Sequence, residues 1–253
     1  MNNQIIFITG ATAGFGKACA EKFAANGHDI IITGRRKDRL YELQKELEEK
    51  NSVKVLPLEF DVRDFFACRK AINSMPEEWK NIAVLINNAG LAMGLSPIDE
   101  GDISDWDTMI DTNIKGLLYV SKLIIPFLKK TKGLIINIGS TAAKDVYPKG
   151  NVYCATKHAV EALSKAMRID LLPYEIKVTA IHPGAAETEF SLVRFKGDAE
   201  KAKDVYKGFT PLYAEDIAEA AYFCATRPAH VCINDLVITP AAQANALHLY
   251  KSL

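Results

Sequence analysis

Short runs of β-branched and other apolar residues alternate along the chain with longer segments of helical period, and this alternation constrains the fold more than any other feature. About seven such runs are present. Because strands joined through helices pair in parallel and are covered on both faces, the pattern predicts an α/β fold with a doubly wound parallel sheet. The predicted strands span residues 5–9, 29–33, 54–58, 83–86, 133–138, 177–181 and 236–238.

No feature divides the chain into separate units. Its 253 residues lie within the range of a single α/β domain, and no linker, internal repeat or low-complexity tract interrupts them. Hydrophobic residues make up 49% and charged residues 25%, which is typical of a folded protein with a sizeable core. We therefore predict a single domain over residues 1–253.

Charge and apolar patterning argue against two classes of partner. Lys plus Arg and Asp plus Glu balance at 31 each, so no net charge draws the chain to nucleic acid or to an anionic membrane. The longest mainly apolar stretch, residues 117–128, is interrupted by Lys122 and Pro126 and is shorter than the about 20 residues that a membrane span needs. We expect neither nucleic acid nor membrane as a partner.

The N-terminal residues and the cysteines indicate a compartment. Residues 1–8 show no basic flank and no small-residue cleavage site, so no secretion signal is predicted. The cysteines form no CxxC pair and are expected to be buried free thiols in a reducing cytoplasm. They are Cys19, Cys68, Cys154, Cys224 and Cys232. The histidines lack metal-ligand spacing, and no metal site is predicted.

Two predicted helices differ in how apolar residues are distributed around them. Residues 37–50 place Leu40, Leu43 and Leu47 on one face among charged neighbours, which is typical of an amphipathic helix on a sheet. The predicted helix over residues 105–130 is apolar almost all the way round. One of its sides is expected to face the sheet and the other a second subunit, since a monomer would expose a large apolar patch there.

A glycine-rich turn joins the first predicted strand to a helix-forming stretch. Gly10, Gly14 and Gly16 differ in spacing from the GxGxxG fingerprint, and Ala18 after Lys17 excludes a Walker loop. Glycines let the backbone approach a ligand closely, and the helix N-terminus favours an anion. The turn therefore indicates a dinucleotide pyrophosphate site, the alternative being an ordinary tight turn.

Two arginines follow the second predicted strand. At this position NAD-binding folds usually carry an acid for the ribose 2′-hydroxyl, whereas this chain has Arg35 and Arg36. A guanidinium matches the geometry of a phosphate and is unfavourable beside a helix N-terminus without one. The pair favours NADP(H) as the cofactor over the alternative of a solvated helix start.

Candidate proton-transfer residues lie further along the chain. Tyr153 and Lys157 are four apart in a helix-forming segment that opens with the cap-like Asn151, so they share a face. An ammonium beside a phenol favours the phenolate, so Lys157 is expected to lower the pKa of Tyr153 from about 10. Alone, such a pair is more often an exposed surface pair. Ser140 lacks the second glycine of a hydrolase nucleophile elbow and is expected to hydrogen-bond a substrate oxygen.

These features together resemble the short-chain dehydrogenase/reductase family over almost the entire length. The glycine-rich turn is followed in order by five further motifs of that family. They are Asn87-Asn88-Ala89-Gly90, Asn113 within Asp-Thr-Asn-Ile-Lys-Gly, Ser140, Tyr153-x3-Lys157 and Pro183-Gly184.

The resemblance implies a Rossmann-type NADP(H)-dependent oxidoreductase acting on CH–OH groups. It implies a catalytic set of Asn113, Ser140, Tyr153 and Lys157, with Asn113 acting through a water near Lys157 and with Ser140 and Tyr153 also contacting substrate. The cofactor contacts that it implies, with Asp61 near the adenine, are Gly10, Thr12, Gly14, Phe15, Gly16, Arg35, Arg36, Asp61, Val62, Asn88, Ala89, Gly90, Tyr153, Lys157, Pro183, Gly184 and Thr188.

The C-terminal third narrows the resemblance. Residues 183–197 and 228–235 are similar to the NADP-dependent 3-hydroxy acid (serine/allo-threonine) dehydrogenase branch. This implies a short 3-hydroxy acid as the small-molecule substrate, and a homo-oligomer, taken to be a homotetramer, is expected. Ala185 and Ala186 are smaller than the bulky pair expected in that branch, so the pocket near the nicotinamide is expected to be altered.

A hydroxy acid requires a cation for its carboxylate. Arg194, in the segment after Pro183-Gly184, is the predicted anchor, with Lys144, Lys149 and Lys196 as alternatives. Two other functions remain open: a carbonyl reductase for another small or bulky substrate, and a non-catalytic NADPH-sensing protein. The intact catalytic set argues against the second.

Overall fold

The computed structural model describes residues 4–252, so residues 1–3 and 253 of the predicted domain, including part of the segment assessed for a secretion signal, lie outside the described part. Seven strands form one parallel sheet, and they are β1 (Ile5–Ile8), β2 (Asp29–Gly34), β3 (Val55–Glu59), β4 (Ile82–Asn87), β5 (Leu134–Ile138), β6 (Lys177–Pro183) and β7 (Asp235–Ile238). Their order across the sheet is β3-β2-β1-β4-β5-β6-β7. The predicted strands are confirmed, with bounds that differ by one or two residues.

Helices occupy the connections between the strands. The α-helices of the described residues are α1 (Gly14–Ala25), α2 (Lys37–Lys50), α3 (Phe65–Asn73), α4 (Ile103–Ile110), α5 (Leu117–Thr131), α6 (Asn151–Asp170), α7 (Glu189–Arg194), α8 (Ala199–Asp204) and α9 (Ala214–Ala225). On α2, Leu40, Leu43 and Leu47 are buried, which confirms the amphipathic prediction.

The core lies on both faces of the sheet, as expected for parallel strands. Successive residues of β1 are fully buried on opposite faces of the sheet. Ile6 and Ile8 pack with residues of α1, α2 and α9, whereas Phe7 packs with residues of α3 and α5. The strand order reverses between β1 and β4, so their carboxyl ends open a crevice in which doubly wound folds bind ligands.

The segment predicted as one helix over residues 105–130 is helical throughout but changes its winding partway. A π-helical turn, Asp111–Gly116, separates α4 from α5 and contains Asn113, which is buried. The predicted helix is therefore confirmed as a helical run, and the π turn within it was not predicted, because apolar periodicity does not indicate a single wider turn inside a helix.

Helix α5 has one side against the sheet. Val120, Ile124 and Leu128 are fully buried, whereas Leu118 is 38% exposed. Leu118, Lys122, Ile125 and Pro126 line an open groove with Met167 of α6, on the outer side of α5. The sheet-facing side is confirmed, and a second subunit on the outer side stays a prediction.

Two local predictions were wrong. Cys232 is exposed, whereas the other four cysteines are buried, because it precedes β7 at the edge of the sheet where no further strand covers it. Asn151 is the first residue of α6 and not its cap; Gly150 holds the cap position. The Asn151 side chain instead donates to Ser96 O at 2.9 Å, because the loop before α6 lies against it.

Within residues 4–252, no helix has the length and apolar character that crossing a membrane requires.

Candidate active site

The glycine-rich turn lies between β1 and α1. Gly10 and Gly14 have φ of +66° and +50°, a region that glycine adopts without steric cost. A side chain at Gly16 would overlap Gly10 O, so the turn requires glycine there as well. The backbone can therefore approach a pyrophosphate at the start of α1, and this cradle fits a dinucleotide.

Hydrogen bonds connect this turn to the end of β4. Thr9 Oγ1 accepts from Asn88 N and Ala89 N, both at 2.9 Å. Asn88 Nδ2 donates to Thr9 O at 2.8 Å and to Gly10 O at 3.1 Å. Asn88 therefore holds the two strand ends together, and Thr9 is a supporting residue that the list of predicted contacts did not include.

The carboxyl end of β2 carries the arginines. Arg35 lies 3.6 Å from Asp61, and Arg63 binds the same carboxylate at 2.7 Å. Burial would raise the pKa of Asp61, but hydrogen bonds from Arg63 outweigh it and lower that pKa below its ordinary value. Arg36 donates to Thr12 Oγ1 at 2.9 Å. This cationic end of the cleft is suited to a phosphate group.

The candidate catalytic residues come from β5 and α6. Ser140 lies two residues after β5, and Tyr153 and Lys157 lie on α6. All of them reach the same cleft. Lys157 is buried and donates to Ile138 O at 2.9 Å. Burial lowers the pKa of its ammonium to about 8, because a low-dielectric surrounding disfavours the charged form.

The electrostatics of Tyr153 differ from the prediction. Burial raises the pKa of its phenol above the ordinary value, and Arg194 and a hydrogen bond with Ser140 oppose this effect only in part. Lys157 is not among the groups that lower it. The expectation that Lys157 lowers the pKa of Tyr153 was therefore wrong. The cation that lowers the pKa of Tyr153 is Arg194, whose Cζ lies 4.9 Å from the centroid of the Tyr153 ring.

Asn113 lies behind the cleft wall. Its side chain accepts from Leu91 N at 2.9 Å and donates to Leu91 O at 2.8 Å and Thr156 Oγ1 at 3.0 Å. A Cβ built on Gly90 would lie 3.3 Å from Asn113 Oδ1 and 3.6 Å from Lys157 Nζ, so both side chains flank that glycine. The water-mediated role of Asn113 stays a prediction.

Arg194 lies at the end of α7 and is enclosed by aromatic rings. It donates to Tyr147 Oη at 2.6 Å, and its Cζ lies 5.0 Å from the ring centroid of Phe190. Its Nε is buried without a hydrogen-bond partner among the described residues. An unpaired buried guanidinium nitrogen is costly, and Arg194 also lines the cleft, so its guanidinium is suited to an anionic ligand.

The cleft that these residues form has a volume of about 550 Å³. Every predicted site residue lines it except Gly16 and Asn113, which support it from behind. Residues lining it that the sequence analysis did not predict include Tyr147, Phe190, Gln243, Ala246 and Leu249. Gln243, Ala246 and Leu249 lie far along the chain from the motifs, and Tyr147 and Phe190 lie near motifs but belong to no spacing that indicates a function.

His182 supports the site from the buried side. It is fully buried, and its Nδ1 lies 3.4 Å from Ser140 N and 3.2 Å from Ser140 O. Burial lowers the pKa of its imidazole, so the neutral form is favoured. No cluster of His, Cys, Asp or Glu able to hold a metal ion occurs in residues 4–252.

A strand-to-helix dinucleotide turn and a Ser-Tyr-Lys set in one cleft define an oxidoreductase of the short-chain dehydrogenase class. Residues 4–198 match the short chain dehydrogenase family, and the chain belongs to it.

Among its relatives, the NADP-dependent 3-hydroxy acid dehydrogenase of Salmonella typhi is 48% identical over 252 residues, covering 98% of this chain and 100% of the relative. Sulfoacetaldehyde reductase 2 of Chromohalobacter salexigens is 45% identical over 244 residues, covering 96% of each chain. The solved closed form of serine dehydrogenase complexed with NADP⁺ aligns with a TM-score of 0.91 at 45% identity, covering 98% of this chain and 100% of that one.

Proposed function

We propose that the chain is an NADP(H)-dependent dehydrogenase that interconverts short 3-hydroxy acids and the corresponding carbonyl compounds. The observation that carries the proposal is Arg194, a cation with an unpaired buried nitrogen directly beside the candidate proton donor Tyr153. The similarity to 3-hydroxy acid and serine dehydrogenases supports the same substrate class.

The remaining candidate cations are less suited to the carboxylate. Lys144 binds Glu161 at 3.0 Å and Asp235 at 2.6 Å, and Lys196 binds Asp105 at 2.9 Å. Neither they nor Lys149 line the cleft, whereas Arg194 does. Tyr147 Oη, held by Arg194, would be a second donor to the same carboxylate.

In the proposed reaction the bound cofactor supplies or accepts the hydride at the substrate carbon. In the reducing direction, the Tyr153 phenol donates its proton to the substrate oxygen while Ser140 hydrogen-bonds that oxygen. In the oxidising direction, the Tyr153 phenolate accepts the hydroxyl proton. The raised pKa of Tyr153 favours the phenol and so suits the donor role.

Other residues would orient the cofactor. Gly10, Gly14 and Gly16 would admit the pyrophosphate, and Arg35 and Arg36 would bind the 2′-phosphate. Lys157 would hold the nicotinamide ribose with Tyr153. Thr12, Phe15, Asp61, Val62, Asn88, Ala89, Gly90, Pro183, Gly184 and Thr188 complete the proposed contacts.

The experiment that tests the substrate class is the replacement of Arg194. Arg194→Ala should raise KM for serine and other short 3-hydroxy acids by about tenfold or more, because a charge-assisted hydrogen bond is lost, while sparing uncharged alcohols of similar size. Lys196→Ala, two residues away and bound to Asp105, is the matched control. An equal effect of Arg194→Ala on charged and uncharged substrates would refute the anchor.

Two alternatives to the proposed function differ in how far the observations support them. The similarity to sulfoacetaldehyde reductase 2 favours, as a second candidate, reduction of an aldehyde that carries a sulfonate, which Arg194 could bind in the same way. A non-catalytic NADPH-sensing role has no observation in its favour, because Ser140, Tyr153 and Lys157 all reach the cleft.

The chain is also proposed to act in the cytoplasm as a homotetramer. Its four buried free cysteines suit a reducing compartment. The apolar groove along the outer side of α5 supports self-association.

A further inference from the structure

A carboxylate lies among the arginines at the cationic end of the cleft. Glu189, the first residue of α7, accepts from Arg36 Nη1 at 3.0 Å. It also accepts from Arg39 Nη1, at 2.8 Å and 3.2 Å to its two oxygens. Arg36, Arg39 and Glu189 are here called the arginine–glutamate triad. Glu189 lines the cleft together with Arg35 and Arg36.

The carboxylate of the triad is charged at neutral pH. Burial would raise the pKa of Glu189, but hydrogen bonds from Arg36 and Arg39 outweigh it and lower that pKa below its ordinary value. A negative charge within hydrogen-bond distance of Arg36 weakens the attraction of that arginine for a phosphate. The triad therefore opposes the function proposed for Arg36 unless Glu189 can leave it.

The geometry of Arg36 allows such a departure. Its Nε and Nη2 donate to Thr12, which belongs to the glycine-rich turn, and only Nη1 is bound to Glu189. Arg39 contacts both oxygens of Glu189, so the carboxylate keeps a cationic partner after losing Arg36. The side chains of the triad are between 44% and 46% exposed, and exchanging one exposed ion pair costs little.

We propose that Glu189 is the internal counter-ion of the 2′-phosphate site, and that the 2′-phosphate of NADP(H) displaces it from Arg36 while Arg39 retains it. Glu189 then limits the preference for NADP(H), and Arg39 supports that preference by retaining the displaced carboxylate. The inference rests on the proposed function only in taking NADP(H) as the cofactor. NAD(H) carries a neutral hydroxyl at this position, which cannot compete with a carboxylate for a guanidinium.

The proposal is tested by cofactor binding without substrate. Dissociation constants for NADPH and NADH are measured by nicotinamide fluorescence for the unaltered protein, Glu189→Gln, Arg39→Gln and the double variant. Glu189→Gln should lower the dissociation constant of NADPH by about fivefold, because it removes a charge that repels the phosphate. It should change the dissociation constant of NADH by less than about twofold.

The double variant tests the role of Arg39. Arg39→Gln should weaken the binding of NADPH, since Glu189 then pairs with Arg36 alone and a nearby cation is lost. Adding Glu189→Gln should restore most of that loss, so the two effects should not be additive. Glu187→Gln, an exposed carboxylate two residues earlier, is the matched control and should leave both constants unchanged.

The outcomes separate this inference from the proposed function. If the unaltered protein binds NADPH and NADH equally, the cofactor assignment fails. If it prefers NADPH but Glu189→Gln weakens NADPH, or leaves the NADPH/NADH ratio within about twofold of the unaltered value, only the counter-ion proposal is overturned. Glu189→Ala, like Glu189→Gln, should lower the dissociation constant of NADPH.

Discussion

Tyr153 and Lys157 lie four residues apart on α6, and burial affects both side chains in the same sense by favouring their neutral forms. It raises the pKa of the Tyr153 phenol and lowers that of the Lys157 ammonium to about 8. A neutral phenol can donate a proton to a carbonyl oxygen. At Tyr153, burial is opposed by the charge of Arg194 on α7 and by a hydrogen bond with Ser140.

Tyr153→Phe tests the proton-transfer role. The change removes only the phenolic oxygen, so turnover should fall by about 10²–10⁴ while NADPH binding survives. Single-turnover kinetics and nicotinamide fluorescence measure the two effects separately. Tyr147→Phe removes a phenol that also lines the cleft and should instead raise KM for acids. Retention of more than about a tenth of turnover by Tyr153→Phe, with chemistry rate-limiting, would contradict the assignment.

The buried ammonium of Lys157 is expected to lower the free energy of unfolding at neutral pH. Its pKa in the folded chain, about 8, lies below its ordinary value of 10.5, so the folded state releases the proton first. The cost is fully present below pH 8 and decreases as pH rises from 8 towards 10.5. Lys157→Met should therefore increase the free energy of unfolding at pH 7 by about 2 kcal/mol, after allowing for the lost bond to Ile138 O.

Urea unfolding at pH 7 and at about pH 9.5 measures this difference, which should narrow at the higher pH. Lys165→Met replaces an exposed lysine on the same helix and should change stability by less than about 0.5 kcal/mol. A less stable Lys157→Met protein at pH 7 would show that the hydrogen bond to Ile138 O outweighs desolvation.

At the scale of elements, α7 connects the two ends of the cleft. It begins at Glu189, which binds Arg36 and Arg39, and ends at Arg194 beside Tyr153. Phe190 packs against Tyr153 with ring centroids 5.6 Å apart. A six-residue helix cannot be stable alone, so its position depends on these contacts.

The outer groove of α5 is the proposed interface between copies of the chain, and a substitution there tests self-association. Leu118→Asp places a charge in the outer groove, where an interface between copies would bury it without a partner. Light scattering after gel filtration should show a lower molar mass than for the unaltered protein. Phe66→Asp, on α3 and 69% exposed, is the control and should leave the mass unchanged. An unchanged oligomer in Leu118→Asp would place the interface elsewhere.

At the scale of the whole molecule, the reversal of strand order between β1 and β4 brings the glycine-rich turn and the catalytic residues into one cleft. A ligand in this cleft contacts residues from both halves of the sheet and stabilises them together. A ligand that binds only the folded state adds about 2.7 kcal/mol at a concentration one hundred times its Kd.

NADPH should therefore raise the unfolding temperature more than NADH at equal concentration, because Arg35 and Arg36 attract the 2′-phosphate. Saturation should give a shift of about 5–10 °C for a chain of this size. Differential scanning calorimetry measures it. Replacing both arginines by serine should reduce the NADPH shift to that of NADH. Equal shifts in the unaltered protein would contradict the predicted cofactor preference.

Features that depend on short-range pattern could be predicted from the amino-acid sequence. Strand positions follow from short continuous apolar runs and helix positions from an apolar period of 3.6 residues, and so the seven strands were predicted to within one or two residues. The glycine-rich turn from Gly10 to Gly16 was predictable because its residues are close neighbours in the sequence. The Tyr153–Lys157 pair was predictable because residues four apart in a helix share one face. The π turn at Asn113 was not predictable, because no period indicates it.

Contacts between residues that are distant along the chain could not be predicted, because they form only in the folded chain. Arg36 and Glu189 are 153 positions apart, and Arg194 and Tyr147 are 47 apart, yet each pair is hydrogen-bonded. The direction of the Tyr153 pKa likewise depends on burial by many segments and on Arg194 of another helix, neither of which a four-residue spacing contains. Packing and desolvation act through space, so long-range pairs and protonation equilibria are set only when the chain has folded.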